Sequence, residues 1–244
     1  MNTVKINAGK TKMIAHRGVS GLEKENTTLA FVAAGNRSYY GVESDVHRTA
    51  DGKFILIHDN HTRRVSEEDY TVEETDFDRL RSVCLSDIDG TTGRPDLRLP
   101  TPQEYIRICK KYEKVCVLEL KNHMTEEDVR ALADIFVQED YLDRTVFISF
   151  DYDSLVYMRQ LLPEQKIQFL CKSLTDDLPQ RLLAHRFDVD IEQSALTKEG
   201  LELLHRNGIE VNCWTVNDPA RAEELASWGV DYITSNILEA KQAE

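Results

Sequence analysis

Charged residues close several apolar runs of this chain: His16-Arg17, Glu43-Ser44-Asp45, His58-Asp59 and Glu119-Leu120-Lys121. Residues two apart in a strand share a face, so Glu43 and Asp45 project together, as do Glu119 and Lys121. Convergent carboxylates repel, and they stay ionised together only beside a cation. Three carboxylate oxygens, with water at the open positions, suit a hard divalent ion such as Mg²⁺ or Ca²⁺. Arg17 and Lys121 would be wasted on a metal but suit phosphate oxygens. His16 and His58, on either side of such a phosphate, could act as general base and general acid near neutral pH. The sum is metal-assisted cleavage of a phosphate ester.

That chemistry requires elements that bring four distant segments to one rim. Short segments rich in Val, Ile, Leu or Phe are spaced along the chain as strands buried on both faces should be: 12–17, 41–47, 54–58, 115–121, 145–150, 166–171, 188–192, 210–215 and 231–235. Helix starts lie between them, at Asn26-Thr27-Thr28, Thr101-Pro102, Thr125-Glu126, Thr197-Lys198 and Asn217-Asp218-Pro219. Strand–helix alternation predicts a parallel sheet. No helix fits between His47 and Phe54, and Asp51-Gly52 is a turn signal, so 54–58 should fold back antiparallel as a hairpin. Eight parallel strands remain, which predicts an α/β fold, a (β/α)₈ TIM barrel with its site at the C-terminal strand ends. Centring the hairpin on Asp51 sets His58 opposite Ser44, between the two carboxylates. The seventh barrel strand runs into Trp214-Thr215 at the same rim. The whole chain, 1–244, reads as a single barrel domain with an inserted hairpin and loop region at about 48–100, expected to lie over the rim. Phe77, Leu80, Val83 and Leu85 in that insertion are spaced to pack inward or to form an apolar entrance.

Composition bounds the partners. The 244 residues carry a formal charge of −13, which argues against nucleic acid or an anionic membrane as the main partner. No run approaches the roughly 18 apolar residues of a membrane span, and the N-terminal residues lack the apolar core of a secretory signal. Five widely spaced cysteines fit a reduced, cytoplasmic protein with buried thiols.

The run His16-Arg17-Gly18, Glu25-Asn26-Thr27, Glu43-Ser44-Asp45-Val46, Thr49-Ala50-Asp51-Gly52 and His58-Asp59 resembles glycerophosphodiester phosphodiesterases. Leu99-Pro100-Thr101, Glu119-Leu120-Lys121, Trp214-Thr215-Val216-Asn217 and Gly229-Val230-Asp231 continue the resemblance in order, over about residues 13–235. It implies hydrolysis of small glycerophosphodiesters to glycerol 3-phosphate and an alcohol. By the same resemblance, His16 and His58 are the acid–base pair and Glu43, Asp45 and Glu119 hold one divalent cation. Arg17 and Lys121 contact phosphate, Trp214 walls the glycerol end, and the substrate's own hydroxyl attacks first, through a cyclic phosphate. Lysophospholipase D-type or cyclic phosphodiester cleavage at the same site is the alternative. Lys24 and Thr234-Ser235-Asn236-Ile237 depart from the family pattern, which touches rim shape and leaving-group preference. His47 and His123, each two residues beyond a site residue on the same face, are expected to be solvent-exposed loop histidines.

Overall fold

The computed structural model describes residues 2–241. Eight parallel strands form a closed barrel: β2 (Lys12–Ala15), β3 (Gly41–Arg48), β5 (Val115–Leu120), β6 (Thr145–Ser149), β7 (Lys166–Cys171), β8 (Asp188–Glu192), β9 (Val211–Trp214) and β10 (Tyr232–Ser235). β2 pairs with both β10 and β3, which closes the ring. Alternation divides each strand. Val42, Leu118, Phe147, Phe169, Val189 and Cys213 face the surrounding helices, whereas Ile14, Val117, Ile148 and Leu170 fill the barrel.

The remaining strands are short. β4 (Phe54–Leu56) pairs antiparallel with β3 in a register centred on Asp51, Val46 facing Leu56 and Arg48 facing Phe54. Gly52 sits at φ +76° in the turn, where a glycine carries no steric penalty. β1 (Val4–Ile6) and β11 (Leu238–Ala240) form a separate two-stranded parallel sheet that the sequence reading does not contain.

Helices α1 (Thr28–Gly35), α3 (Pro102–Lys111), α4 (Glu126–Gln138), α7 (Lys198–Arg206) and α8 (Pro219–Trp228) begin where the capping signals predict. Thr101 with Glu104, and Thr125 with Asp128, form reciprocal capping boxes at α3 and α4. α5 (Tyr152–Leu161) and α6 (Leu178–His185) complete the outer ring, and those signals do not delimit them. From α3, the buried Tyr105 hydroxyl donates to the Val42 carbonyl (2.6 Å) and accepts the Val117 N–H (2.9 Å). One side chain thereby ties together β3 and β5, the two strands that carry the carboxylates.

The insertion after β4 has a core of its own. Ile55 and Ile57 pack with Val65, Val72, Leu80, Val83, Leu85, Leu97 and Leu99, and Phe77 lies against them. The short helix α2 (Phe77–Ser82) supplies Leu80. This apolar set therefore faces inward and forms no entrance. Among the described residues, no helix is long and apolar enough to cross a membrane.

Candidate active site

The candidate side chains sit at the strand ends, several just past the last paired residue. His16 follows β2, and its N–H still donates to the Ser235 carbonyl at the end of β10 (2.9 Å). Arg17 turns the chain at φ +54°, and Gly18 follows at φ +74°. A Cβ on Gly18 would lie 2.6 Å from the Ala30 backbone, so no other residue fits there without displacing α1. This turn points the Arg17 N–H at Glu43 Oε2 (2.8 Å).

Glu43 and Asp45 share the inner face of β3, and Asp45 pairs in register with Glu119 on β5. Oxygens of Glu43, Asp45 and Glu119 lie within 4.8 Å of one another, and all three residues are buried. Lys121 Nζ lies 2.8 Å from Glu119 Oε1 and 3.5 Å from Asp45 Oδ1. Arg17 Nε lies 3.5 Å from Asp45 Oδ2, while its Nη1 donates to Glu25 (2.9 Å). Asn26, buried at φ +51°, donates to Asp45 Oδ2 (2.8 Å) and accepts from Ser44 Oγ (2.8 Å). The Glu25-Asn26-Thr27 motif thus has three separate jobs: Glu25 holds Arg17, Asn26 holds Asp45, and Thr27 caps α1.

Burial, reinforced by mutual repulsion, pushes Glu43 well above the ordinary carboxylate range and Glu119 up to about 8. Burial acts upward on Asp45 too, but Arg17, Lys121 and His58 outweigh it and hold that carboxyl down. Added positive charge would favour ionisation of all three carboxylates together. Asp45 Oδ1 is also buried without a hydrogen-bond partner. Three hard oxygens, one of them unpaired, with no sulfur or imidazole in the set, fit Mg²⁺ or Ca²⁺ rather than a softer ion.

The imidazoles have different partners. His16 Nδ1 lies 2.6 Å from Asn236 Oδ1, and Nε2 is 3.9 Å from Glu43 Oε2. Burial, then Arg17, pushes His16 down to about 4. His58 stands two residues past β4 with Nδ1 2.6 Å from Asp59 Oδ1. Arg64 grips Asp59 through Nε (2.6 Å) and Glu25 through Nη1 (2.6 Å), so the insertion is tied to the Arg17 turn. Burial lowers His58 as well, with Asp45 and Asp59 opposing.

His47 corrects an expectation. It is fully buried rather than exposed, with Nδ1 3.2 Å from Glu73 Oε1 and Nε2 3.3 Å from the His58 carbonyl. The insertion folds over it, which strand periodicity alone does not reveal. His123 is exposed as expected, beside Asp151 (3.1 Å).

A cavity of about 80 Å³ is lined by six of the eight sequence-derived residues: His16, Arg17, Glu43, His58, Glu119 and Trp214. Asp45 and Lys121 join them through the contacts above, and Lys121 lines the adjoining surface pocket with Glu119. Phe150, Leu170, Asp190 and Thr234 also line it. Trp214 packs edge-on to Phe150 (5.6 Å between centroids) and donates Nε1–H to the Asp190 carbonyl (3.0 Å). Asn236 and Asp190 are residues to which the sequence reading gives no role. Asp190 nonetheless leaves a signal, an acid at an inward position between Val189 and Ile191.

Residues 16–239 match the Glycerophosphoryl diester phosphodiesterase family. A glycerophosphodiester phosphodiesterase of Bacillus altitudinis is 28% identical over 241 residues, spanning 93% of this chain and 95% of its own. Among solved structures, an Oleispira antarctica phosphodiesterase in complex with the product sn-glycerol-3-phosphate aligns with a TM-score of 0.85 at 27% identity, 93% of each chain covered. A glycerophosphodiester phosphodiesterase from Parabacteroides distasonis aligns with a TM-score of 0.77 at 28% identity, again over 93% of each chain. With its barrel, its ordered motifs and nearly its full length matched, the chain belongs to the glycerophosphoryl diester phosphodiesterase family.

Proposed function

We propose that the protein hydrolyses glycerophosphodiesters to sn-glycerol 3-phosphate and an alcohol, with one divalent cation, Mg²⁺ or Ca²⁺, held by Glu43, Asp45 and Glu119. The observation that carries this reading is the convergence of three buried carboxylates, two fixed cations and two imidazoles on one cavity. Charge counting supports it. Three ionised carboxylates against Arg17 and Lys121 leave a net negative site that repels a phosphodiester anion, and a dication inverts that sign. When bound, the cation also polarises a phosphoryl oxygen.

Arg17 and Lys121 then hold phosphate oxygens and orient the phosphorus. His16 donates from Nδ1 to Asn236, which leaves the lone pair on Nε2 beside Glu43. Kept neutral by burial and by Arg17, it takes the proton of the attacking oxygen. His58, oriented by Asp59 and with Asp45 favouring its charged form against burial, gives its proton to the oxygen of the departing alcohol. Trp214 and Phe150 form the aromatic wall for the glycerol end. The inward packing of Phe77, Leu80, Val83 and Leu85 removes the apolar entrance that a lysophospholipid would need, and so favours the small diester. Four buried thiols support a reducing, cytoplasmic setting.

Phosphorus NMR of sn-glycero-3-phosphoethanolamine incubated with the protein and Mg²⁺ or Ca²⁺ tests the bond cleaved. The expected product is glycerol 3-phosphate; phosphoethanolamine, or no product from folded protein, would contradict the proposal.

A further inference from the structure

Beneath the carboxylates lies a second polar layer that the proposed chemistry does not use. Gln168 on β7, Asp190 on β8, Asn212 on β9 and Thr234 on β10 all face into the barrel, and none is more than 2% exposed. Only one hydrogen bond joins their side chains, from Thr234 Oγ1 to Asn212 Oδ1 (3.2 Å). Gln168 Oε1, Asp190 Oδ1 and Asn212 Nδ2 are buried without a close hydrogen-bond partner, although Asn212 faces Asp190 in register and partly offsets the effect of burial on the Asp190 carboxyl. Three adjacent strands with unsatisfied polar atoms are an expensive way to fill a barrel that Val and Ile fill elsewhere, and such groups call for an explanation.

Asp190 is the member that reaches the cavity with Thr234, and its backbone carbonyl fixes the Trp214 indole. It lines the same cavity as Trp214 and Phe150, the aromatic wall of the proposed glycerol end, and its carbonyl holds the Trp214 indole at that wall. Burial and the nearby Glu119 push Asp190 well above the ordinary carboxylate range. A protonated carboxyl can both donate to and accept from a hydroxyl.

We infer that Asp190 is a specificity-determining residue that hydrogen-bonds the terminal hydroxyl of the substrate's glycerol end, so that the site selects diesters of unacylated glycerol. The inference rests on the function proposed above. It assigns the buried acid a chemical class of ligand, a free polyol terminus. Esterifying or deleting that hydroxyl leaves the carboxyl unpaired again, and sites of this kind reject such analogues strongly.

The test compares kcat/KM for sn-glycero-3-phosphoethanolamine with that for the analogue built on propane-1,2-diol, which lacks only the terminal hydroxyl. The wild-type protein should prefer the glycerol diester by about 10²-fold or more. In Asp190→Ala the preference should collapse to within about threefold, through loss on the glycerol diester alone, and Asp190→Asn should fall between. Melting supplies the control. Removing an unpaired buried acid should leave Tm unchanged or raised, whereas a structural role predicts a lower Tm. Asp190→Val, which fills the position with a good strand former, runs in parallel in case the alanine variant does not fold. An unchanged preference, equal losses on both substrates, or no preference in the wild-type protein would overturn the inference and leave the diesterase reading standing. A wild-type protein that cleaves neither diester would overturn both.

Discussion

Four of the proposed reacting side chains are each held by a neighbouring side chain. Asn236 fixes His16, Asp59 fixes His58, Asn26 fixes Asp45 and Glu25 fixes Arg17. A general base contributes typically 10²–10⁴-fold, so His16→Ala should lower kcat by at least about 10²-fold. Asn236→Leu should cost less, about 10-fold, because the ring remains and only its orientation is lost. That loss should fall on kcat rather than KM, since Asn236 acts through His16 and not on bound substrate. Steady-state kinetics on folded variants check both. A His16→Ala protein within threefold of wild type would remove the base assignment.

Strand ends position chemistry at one mouth of the barrel and close it at the other. At the closed mouth, Lys166 Nζ bonds Glu210 and Tyr232 (2.9 Å to the latter), and Tyr232 donates to Glu210 (2.8 Å). Asp188, the first residue of β8, accepts the Glu210 N–H (2.8 Å). Burial, with repulsion from Glu210 and Asp231, nonetheless pushes its carboxyl up to about 6. The folded state therefore holds this proton more tightly than the unfolded chain does. The associated stability is complete below about pH 4 and is lost as pH rises through about 6. Asp188→Asn mimics the protonated form and keeps an oxygen for the Glu210 N–H. Its Tm should match wild type near pH 3 and exceed it at pH 7.5, and a pH-independent difference would refute the argument.

How far these elements can be read from sequence depends on what kind of signal each leaves. The bounds of β7 and β8 match the segments read at 166–171 and 188–192, where Ile167 and Phe169, then Val189 and Ile191, mark one apolar face, and the hairpin register follows from a single Asp-Gly turn. β1 and β11, three residues each, are too short for periodicity to register. His47 shows the sharper limit. Alternation gives the face a residue occupies, but the cover over it comes from Glu73, 26 positions away, in a segment with no regular pattern. Asp190 was visible as an acid among β-branched neighbours, yet nothing in one sequence says that its carboxyl lacks a partner.

At the scale of the whole molecule, the barrel gathers residues from His16 to Thr234 around one cavity, and the insertion locks onto that rim through Arg64 and Glu73. This assembly should work only once a dication balances its carboxylates. The most direct test is release of glycerol 3-phosphate from sn-glycero-3-phosphoethanolamine by chelator-treated protein, titrated separately with Mg²⁺ and Ca²⁺. Activity should be absent in chelator and return saturably with at least one ion, and Glu43→Gln should shift that titration to higher concentration. Tm should rise in parallel, by several degrees once the ion exceeds about 100 times its Kd. Full activity in the presence of chelator would contradict the account.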